Sequence, residues 1–276
     1  MMTPFTKMHG NGNDFVLLDN RSRTLALDAG RVRRMADRRF GIGFDQLLVL
    51  EPPSNGAAPV AMRIYNADGG QAGQCGNGLR CFARYVHELG LVDAPQLRVE
   101  TPGGVVEAEL LEGGRVRASM GTPKLDPADI PMAVDARAPL YELRVGGENV
   151  SVSALSVGNP HAVLVVADVA EAPVAELGPA IQALDVFPEG VNVGFMAVRA
   201  DDAVDLRVFE RGVGETLACG SGACAAVVAG RLRGLLAPEV SVRLPGGELT
   251  VSWAGEGGDV VMEGPTAVAY TGEVEL

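Results

Sequence analysis

The amino-acid sequence predicts an α+β protein with two pseudo-symmetric lobes, each a curved, mostly antiparallel sheet or barrel around a central helix. Three observations predict this fold: one cysteine motif occurs twice in a constant frame, short β-type runs dominate, and the few helical patterns come in pairs. An internal duplication of half the chain explains all three observations. An array of short repeats does not, because it would show many copies of roughly 20 to 50 residues. The active site is expected in the cleft between the lobes.

The repeat extends over most of the chain. The motif copies are Gln74-Cys75-Gly76-Asn77-Gly78 and Ala218-Cys219-Gly220-Ser221-Gly222, which are 144 residues apart. An offset of 146 relates Gln46 to Asn192 and Gly12-Asn13 to Gly158-Asn159. The predicted lobes are residues 1–118 with 265–276, which contain Cys75, and residues 119–264, which contain Cys219. Residues 124–139, rich in Pro, Asp and Ala, are the predicted connection between the halves.

Strands are predicted from short apolar runs bounded by glycine pairs. In the first half these runs cover residues 15–18, 46–50, 60–65, 97–100, 105–111 and 116–120. Gly113-Gly114 and Gly146-Gly147 lie between alternating runs, where a hairpin turn needs a positive φ that glycine adopts cheaply. The sheets are therefore expected to be antiparallel.

Helices are predicted over residues 28–39, 76–89, 174–184 and 220–233. Asp28 can cap the first helix. Its arginines fall on more than one face and are interpreted as a solvated surface, not a nucleic-acid patch; they are Arg31, Arg33, Arg34, Arg38 and Arg39. The helix after Cys219 is apolar nearly all round, which predicts deep burial.

The composition excludes several classes of protein. With 276 residues and 47% apolar content, the chain can form one large or two medium cores. A formal net charge of -12 argues against nucleic acid or an anionic membrane as the main partner. No stretch approaches the roughly 18 apolar residues of a membrane span, and the start has no apolar signal segment, so a cytoplasmic location is predicted.

The four cysteines are predicted to be free thiols in a reducing compartment. The spacings of Cys75 to Cys81 and Cys219 to Cys224 differ from those of structural zinc sites, so no metal is expected. Cys81 and Cys224 occupy unmatched positions inside the two helices and are interpreted as small buried residues. No cofactor is predicted either. Gly212-Val213-Gly214 makes no dinucleotide fingerprint, because no parallel βαβ unit is expected there and a cysteine stands at the phosphate turn.

Cys75 and Cys219 each stand directly before an apolar helix whose first turn contains small residues. Unpaired backbone N–H groups and the helix dipole at this position favour a thiolate over the ordinary thiol, whose pKa is about 8.5. The same N–H groups can bind a carboxylate. Two equivalent thiols suggest racemisation, in which one thiolate removes a proton from a stereocentre and the opposite thiol delivers one to the other face.

Several further motifs occur in order along the chain. They are His9-Gly10-Asn11-Gly12-Asn13-Asp14-Phe15, Gly41-Ile42-Gly43-Phe44-Asp45-Gln46, Tyr65-Asn66-Ala67-Asp68-Gly69, Cys75-Gly76-Asn77-Gly78-Leu79-Arg80-Cys81, Gly158-Asn159-Pro160-His161, Asn192-Val193, Glu210-Arg211-Gly212 and Ala218-Cys219-Gly220-Ser221-Gly222-Ala223-Cys224. Through them the chain closely resembles, nearly end to end, the diaminopimelate epimerase family. These cofactor-independent enzymes interconvert LL- and meso-diaminopimelate for lysine and peptidoglycan synthesis.

The resemblance implies a role for each site residue. Cys75 and Cys219 would be the acid/base pair. The backbone amides of Gly76, Asn77, Gly220 and Ser221 would hold the carboxylate at the reacting carbon. Substrate contacts would come from Asn13, Gln46, Asn66, Asn159, Asn192 and Arg211, with Glu210 and His161 beside the reacting carbon. Arg211 offers a planar fork for a carboxylate and Glu210 can accept an ammonium group, which suits a doubly zwitterionic substrate. The resemblance also implies a homodimer.

Other interpretations remain open at this point. Asn13, Asn66 and Asn159 adjoin turns, where asparagine is common for local hydrogen bonding. A proline or hydroxyproline racemase also uses two cysteines in a similar fold. In a third interpretation, the chain is a redox-sensing binding protein in which Cys75 and Cys219 form a reversible disulfide.

Overall fold

The structure is a computed structural model that describes residues 2–54, 56–73 and 75–276, so Gln74 of the first motif copy lies outside the described residues. Its strands are β1 (Met2–Gly10), β2 (Asn13–Asp19), β3 (Gln46–Glu51), β4 (Val60–Asn66), β5 (Gln71–Ala72), β6 (Gln96–Thr101), β7 (Gly104–Leu110), β8 (Arg115–Ser119), β9 (Tyr141–Val145), β10 (Glu148–Ser156), β11 (Pro160–Val165), β12 (Asn192–Ala200), β13 (Ala203–Glu210), β14 (Gly214–Thr216), β15 (Glu239–Leu244), β16 (Gly247–Ser252), β17 (Val261–Pro265) and β18 (Ala267–Glu275). Its α-helices are α1 (Ala29–Ala36), α2 (Gly76–Glu88), α3 (Val174–Gln182) and α4 (Gly220–Leu232), and short 3-10 helices span Glu112–Gly114 and Pro127–Asp129.

The predicted α+β class is confirmed, and each predicted helix is present with its end shortened. Asp28 caps α1 by accepting a hydrogen bond of 2.8 Å from the backbone N of Arg31. The helix ends three residues earlier than predicted, because Asp37 adopts an extended backbone and its carboxylate accepts from the backbone N of Arg39 and Phe40. Arg38 and Arg39 therefore lie beyond the helix.

The chain divides into two compact units, residues 1–119 with 263–276 and residues 120–262. The division into lobes of residues 1–118 with 265–276 and residues 119–264 remains a prediction. The predicted connection, residues 124–139, lies wholly in the second unit. There Ile130 and Met132 are buried in a core with Tyr141 and Val152, and Lys124 pairs with Ser156 as a β-bridge. The expectation of a connecting segment was wrong because its few apolar side chains pack into this core.

Each unit places one helix in a core formed by strands and a second helix on the opposite face. In the first unit, Phe15 and Leu17 of β2 pack in a core with α2, and Val16 and Leu18 pack in another with α1. In the second unit, Val163 of β11 packs with α4, while its neighbours Ala162 and Leu164 pack with α3. This alternation follows from the two-residue period of a strand. The predicted deep burial of α4 is confirmed.

The sheets are mostly antiparallel, and Gly146-Gly147 joins the antiparallel pair β9 and β10 with φ values of 58° and 93°, as predicted. Among the described residues, each unit nevertheless contains parallel pairs: β2 with β3 and β4 with β6 in the first, and β11 with β12 and β13 with β15 in the second. Since α4 lies between β13 and β15 in sequence, the expectation that no parallel βαβ unit follows Gly214 was wrong. No helix in the described part of the chain has the length and apolarity needed to cross a membrane.

Candidate active site

Cys75 is the N-cap residue of α2. Its backbone is extended, with φ -152° and ψ 109°, and its Sγ accepts a hydrogen bond of 3.3 Å from the backbone N of Gly78. Capping of this kind satisfies one of the amide donors that a helix leaves unpaired in its first turn. Cys75 as a residue is partly exposed, in contrast to the other three cysteines, which are buried.

Cys219 occupies the equivalent position before α4, with an extended backbone of φ -114° and ψ 103°. Its Sγ lies 3.6 Å from Oγ of Ser221, and the residue is only 3% exposed. Both helices begin one residue after their cysteine and contain 13 residues. Neither has an acidic residue in its first turn. The two motif copies therefore form the same local structure, one in each unit.

The pKa of Cys219 is raised well above its ordinary value. Burial is the largest cause, and the charge of Glu210 acts in the same direction. The Ser221 hydroxyl and the Gly222 amide lower this pKa, but their effect is smaller. The helix N-terminus does act in the predicted direction, but the predicted thiolate was wrong for Cys219, because removal from water and a nearby carboxylate outweigh the helix end. Cys219 is a protonated thiol at neutral pH.

Cys81 and Cys224 are completely buried, as predicted for small apolar residues inside the helices. Burial raises the pKa of Cys81 to about 12. All four cysteines are free thiols. Only Cys75 and Cys219 stand at helix N-termini, where sulfur can meet a ligand.

Gln46 and Asn66 lie directly opposite each other on the antiparallel strands β3 and β4. Nε2 of Gln46 donates a hydrogen bond of 2.9 Å to Oδ1 of Asn66. Within the described residues, Oε1 of Gln46 is buried and has no hydrogen-bond partner. A buried acceptor of this kind is costly unless a ligand or water satisfies it.

Asn13 and Asn77 form a second polar pair in the first unit. Nδ2 of Asn77 lies 3.3 Å from Oδ1 of Asn13, whose own Nδ2 donates to Oδ2 of Asp45 at 2.8 Å. This contact links the first turn of α2 to the start of β2. The turn interpretation of Asn13 is incomplete, because its side chain bonds residues distant in sequence.

In the second unit, His161 and Asn192 are opposite each other on the parallel strands β11 and β12. Phe15 and Gln46 have the same relationship on β2 and β3, so the predicted offset of 146 residues is reproduced in strand register. Nδ2 of Asn192 donates to the backbone O of Pro160 at 3.0 Å, and its Oδ1 accepts from the backbone N of Arg211 at 2.9 Å. Asn192 therefore joins the start of β11 to the loop that carries Arg211.

His161 is a neutral histidine. Burial and the charge of Arg211 lower its pKa to about 3. One ring nitrogen, Nε2, lies 3.0 Å from Oδ1 of Asn159. The other, Nδ1, is buried without a hydrogen-bond partner among the described residues. This histidine can orient Asn159 or exchange a hydrogen bond with a ligand without adding positive charge.

Glu210 ends β13, and Arg211 follows it on an exposed loop. Oε1 of Glu210 accepts a hydrogen bond of 2.5 Å from Oγ1 of Thr216, and Nη1 of Arg211 donates to the backbone O of Glu189 at 2.7 Å. Glu210 acts electrostatically on Cys219 and Arg211 acts on His161. The predicted residues of the second unit thus form two interacting sets, one of Glu210, Cys219 and Ser221, the other of Asn159, His161, Asn192 and Arg211.

Five residues that support these groups were not identified from the sequence: Lys7, Asp14, Arg38, Asp45 and Thr216. Arg38 bridges Asp14 and Asp45 at 2.7 and 2.8 Å, and Lys7 pairs with Asp14 at 2.6 Å. The interpretation of Arg38 as a solvated helix residue is wrong, because it lies beyond α1 and pairs with two carboxylates. The contacts of Arg38 with Asp14 and Asp45 join residues that are distant in sequence, so they depend on the fold. Of the five residues, only Asp45 could have been inferred from the sequence, because it stands next to the predicted site residue Gln46.

Comparison with known proteins places these observations in a family. The model of the diaminopimelate epimerase family matches residues 5–125 and 153–269. A diaminopimelate epimerase from Azoarcus sp. (strain BH72) is 53% identical over 272 residues, covering 99% of this chain and 98% of the relative. One from Laribacter hongkongensis is 51% identical over 278 residues and covers both chains completely. A hydroxyproline epimerase from Agrobacterium vitis, 18% identical, has a similar fold with a TM-score of 0.70 over 99% of this chain and 92% of that one.

Proposed function

Because the chain belongs to the diaminopimelate epimerase family, we propose that it is an isomerase that interconverts LL- and meso-2,6-diaminopimelate in lysine and peptidoglycan precursor biosynthesis. The observation that carries the proposal is the pair of cysteines that stand at the N-cap of equivalent 13-residue helices. The reaction moves one proton at one α-carbon and uses only groups of this chain.

The proposed acid and base are the two thiols. In one direction Cys75 removes the α-proton, and Cys219 delivers its own proton to the opposite face of the carbon; in the reverse direction the roles exchange. Support comes from the raised pKa of Cys219, which keeps it protonated and ready to donate. The Gly78 amide that donates to Sγ of Cys75 supports a negatively charged sulfur there.

The developing carbanion needs its carboxylate held by fixed donors. We assign this role to the backbone amides of Gly76, Asn77, Gly220 and Ser221, at the N-termini of α2 and α4. Amides at a helix N-terminus point along the axis and carry a positive partial charge, so they stabilise an anion without reorganising. The absence of acidic side chains from both first turns supports this assignment.

The rest of the substrate is assigned to the polar side chains described above. Asn13, Gln46, Asn66, Asn159, Asn192 and Arg211 would bind mainly its distant amino-acid group, while Glu210 and His161 would lie beside the reacting carbon. The unsatisfied Oε1 of Gln46 supports an ammonium contact, because it is an acceptor that a protonated amine would complete. The neutral His161 can donate or accept a hydrogen bond without repelling an ammonium group.

The proline or hydroxyproline racemase alternative is not retained. The likeness to the Agrobacterium vitis enzyme at 18% identity concerns the fold alone, whereas the diaminopimelate epimerases are 51% and 53% identical over nearly the whole chain. No specific observation favours the redox-sensing interpretation.

The test is incubation of the reduced protein with LL-diaminopimelate in deuterated water, followed by NMR at the α-carbon. We expect meso-diaminopimelate carrying solvent deuterium. L-proline and trans-4-hydroxy-L-proline, incubated in parallel, should remain unchanged. Turnover of either proline and none of diaminopimelate would reject the proposed substrate.

The homodimer and the cytoplasmic location are also part of the proposal. The dimer rests on family resemblance and is tested by light scattering coupled to size-exclusion chromatography. Four free thiols, two of them required for the proposed chemistry, support a reducing compartment. Loss of activity in an oxidising buffer, restored by dithiothreitol, would agree with that location.

A further inference from the structure

Arg80 is a fully buried cation in the second turn of α2, five residues after Cys75, and it is 0% exposed. Its Nη2 donates to Oδ1 of Asn77 at 2.7 Å, and its Nη1 donates to the backbone O of Pro265 at 3.3 Å. Gly10 at the end of β1 leaves room for it, since a Cβ there would lie 3.2 Å from Nη2. The guanidinium thus donates to Asn77 of its own helix and to Pro265, and it packs beside Gly10, all in one unit.

The donor and the acceptor are fixed in the hydrogen bond from Arg80 to Asn77 and in the one from Asn77 to Asn13. A guanidinium only donates hydrogen bonds, so the atom of Asn77 that faces Arg80 must be Oδ1. Nδ2 of Asn77 is then turned toward Asn13 and meets its Oδ1 at 3.3 Å. At the other end, the carboxylate of Asp45 only accepts, so Nδ2 of Asn13 must face it. The two amides, whose O and N atoms are otherwise interchangeable, are oriented from both ends.

We propose that Arg80 is a positioning residue for the epimerisation: it orients the Asn77 and Asn13 amides and so sets the substrate-binding surface beside Cys75. The inference rests on the proposed function for the identity of the substrate. Arg80 acts through Asn77, whose backbone amide is proposed to hold the reacting carboxylate, and through Asn13, proposed to contact the substrate. The two amides are then already oriented before the substrate binds, so binding does not include the entropic cost of ordering them.

A purely structural role predicts a different result. Burying a charge is costly, and replacing a buried charged group with an apolar residue of similar volume is often neutral or stabilising. If Arg80 only filled space, Arg80→Met would fold and turn over normally. A positioning role predicts that Arg80→Met loses catalytic efficiency. It also predicts that Arg80→Lys retains part of it, because a lysine likewise only donates hydrogen bonds.

The experiment compares kcat and KM of wild type, Arg80→Met, Arg80→Lys and a matched control, Arg84→Met. Arg84 lies one turn further along α2 and donates to the backbone O of Thr266 at 2.7 Å, so it has the same helix and the same kind of partner without contacting Asn77. We expect Arg80→Met to lower kcat/KM by about 10- to 100-fold, mainly through KM, as a lost hydrogen bond to a charged group predicts. Arg80→Lys should be intermediate and Arg84→Met unchanged.

Wild-type kinetics in Arg80→Met would overturn the proposal. If that variant does not fold, Asn77→Ala decides, because it keeps the backbone amide and Arg80 while removing the side chain between Arg80 and Asn13. It should show a similar loss, and normal kinetics would overturn the proposal equally.

A second readout separates this inference from the proposed function. The side-chain ¹⁵NH₂ resonances of Asn13 should shift in Arg80→Met and Asn77→Ala, and not in Arg84→Met. If wild type does not epimerise diaminopimelate, the proposed function fails and these resonances alone decide whether Arg80 orients Asn13. Unshifted Asn13 resonances in Arg80→Met reject the positioning role.

Discussion

Thr216 Oγ1 donates a hydrogen bond of 2.5 Å to Oε1 of Glu210, and the same carboxylate raises the pKa of Cys219. Thr216 lies opposite Val208 on the antiparallel pair of β13 and β14, so the hairpin fixes the donor. This hydroxyl therefore helps to hold the carboxylate that acts on the buried Cys219 thiol.

Thr216→Val should reduce turnover by about tenfold, since a hydrogen bond to the charged Glu210 is lost. Steady-state kinetics with diaminopimelate measure this change. Thr122→Val is the matched control, because Thr122 makes a similar bond of 2.7 Å to Asp259 on an exposed surface. Equal effects of the two substitutions would show that the Thr216 contact has no special role.

Cys75→Ala and Cys219→Ala should each reduce epimerisation by at least about 100-fold, the usual contribution of a positioned acid or base. Each variant keeps one thiol, which can still remove and return a proton on its own face of the carbon. In deuterated water we therefore expect one variant to exchange the α-proton of the LL isomer without inversion and the other to exchange that of the meso isomer. Cys81→Ala and Cys224→Ala serve as controls with near-normal turnover. Near-normal turnover in Cys75→Ala or Cys219→Ala would falsify the two-base mechanism.

Glu210→Gln should lower the pKa of Cys219, because it removes the negative charge that, after burial, raises this pKa. NMR of ¹³Cβ-labelled cysteine, followed against pH, reports the thiol and thiolate forms directly. In wild type, Cys219 should still be a thiol at pH values above the ordinary thiol pKa of about 8.5. Glu215→Gln is the control, since Glu215 pairs with Arg207 at 2.6 Å on the same hairpin. A Cys219 titration that is the same in Glu210→Gln and wild type would contradict the assignment.

The buried His161 should make the protein less stable in mild acid. Its pKa is lowered to about 3 in the folded state from an ordinary value of 6.5, so below pH 6.5 the unfolded state binds the proton and the folded state does not. The free energy of unfolding should therefore fall by about 2 kcal/mol between pH 7 and pH 5, a trend that continues toward pH 3.

Urea unfolding of wild type and His161→Gln at pH 7 and pH 5 measures this effect. In His161→Gln, the free energy of unfolding should differ little between pH 7 and pH 5. In the control His87→Gln, at an exposed position, it should fall as it does in wild type. Identical pH dependence in wild type and His161→Gln would show that His161 titrates normally.

Asp14→Asn should destabilise the first unit by about 3 kcal/mol, because it removes the carboxylate that balances the charge of the buried Lys7, whose other acceptor is the backbone O of Gly43. Lys7 is 7% exposed and lies 2.6 Å from Asp14, which Arg38 also contacts at 2.7 Å. Burial alone would raise the pKa of Asp14, but the hydrogen bonds and charges of Arg38 and Lys7 hold it well below its ordinary value. Chemical denaturation of Asp14→Asn measures the loss.

Asp19→Asn is the comparison for Asp14→Asn. It breaks the exposed pair of Asp19 with Arg21, whose side chains are 31% and 44% exposed, and should cost no more than about 1 kcal/mol. A cost for Asp14→Asn as small as that for Asp19→Asn would mean that Lys7 finds another partner or reaches water.

The sequence by itself determined the α+β class, the duplication, the positions of four helices and the two cysteines before α2 and α4. These features depend on local periodicity and on residues close together in the chain, which a repeat makes visible twice. The end of α1 and the role of residues 124–139 were misjudged, because a carboxylate cap at Asp37 and the burial of Ile130 depend on geometry that composition does not report.

The tertiary structure decided which strands are parallel and which polar groups meet. Gln46 lies opposite Asn66, and His161 opposite Asn192, only because the strands pair in a particular register. It also decided the protonation of Cys219: its helix position favours a thiolate, but burial and the carboxylate of Glu210 favour the thiol. Desolvation and the approach of distant charges are properties of the folded chain, so no local pattern in the sequence could have supplied them.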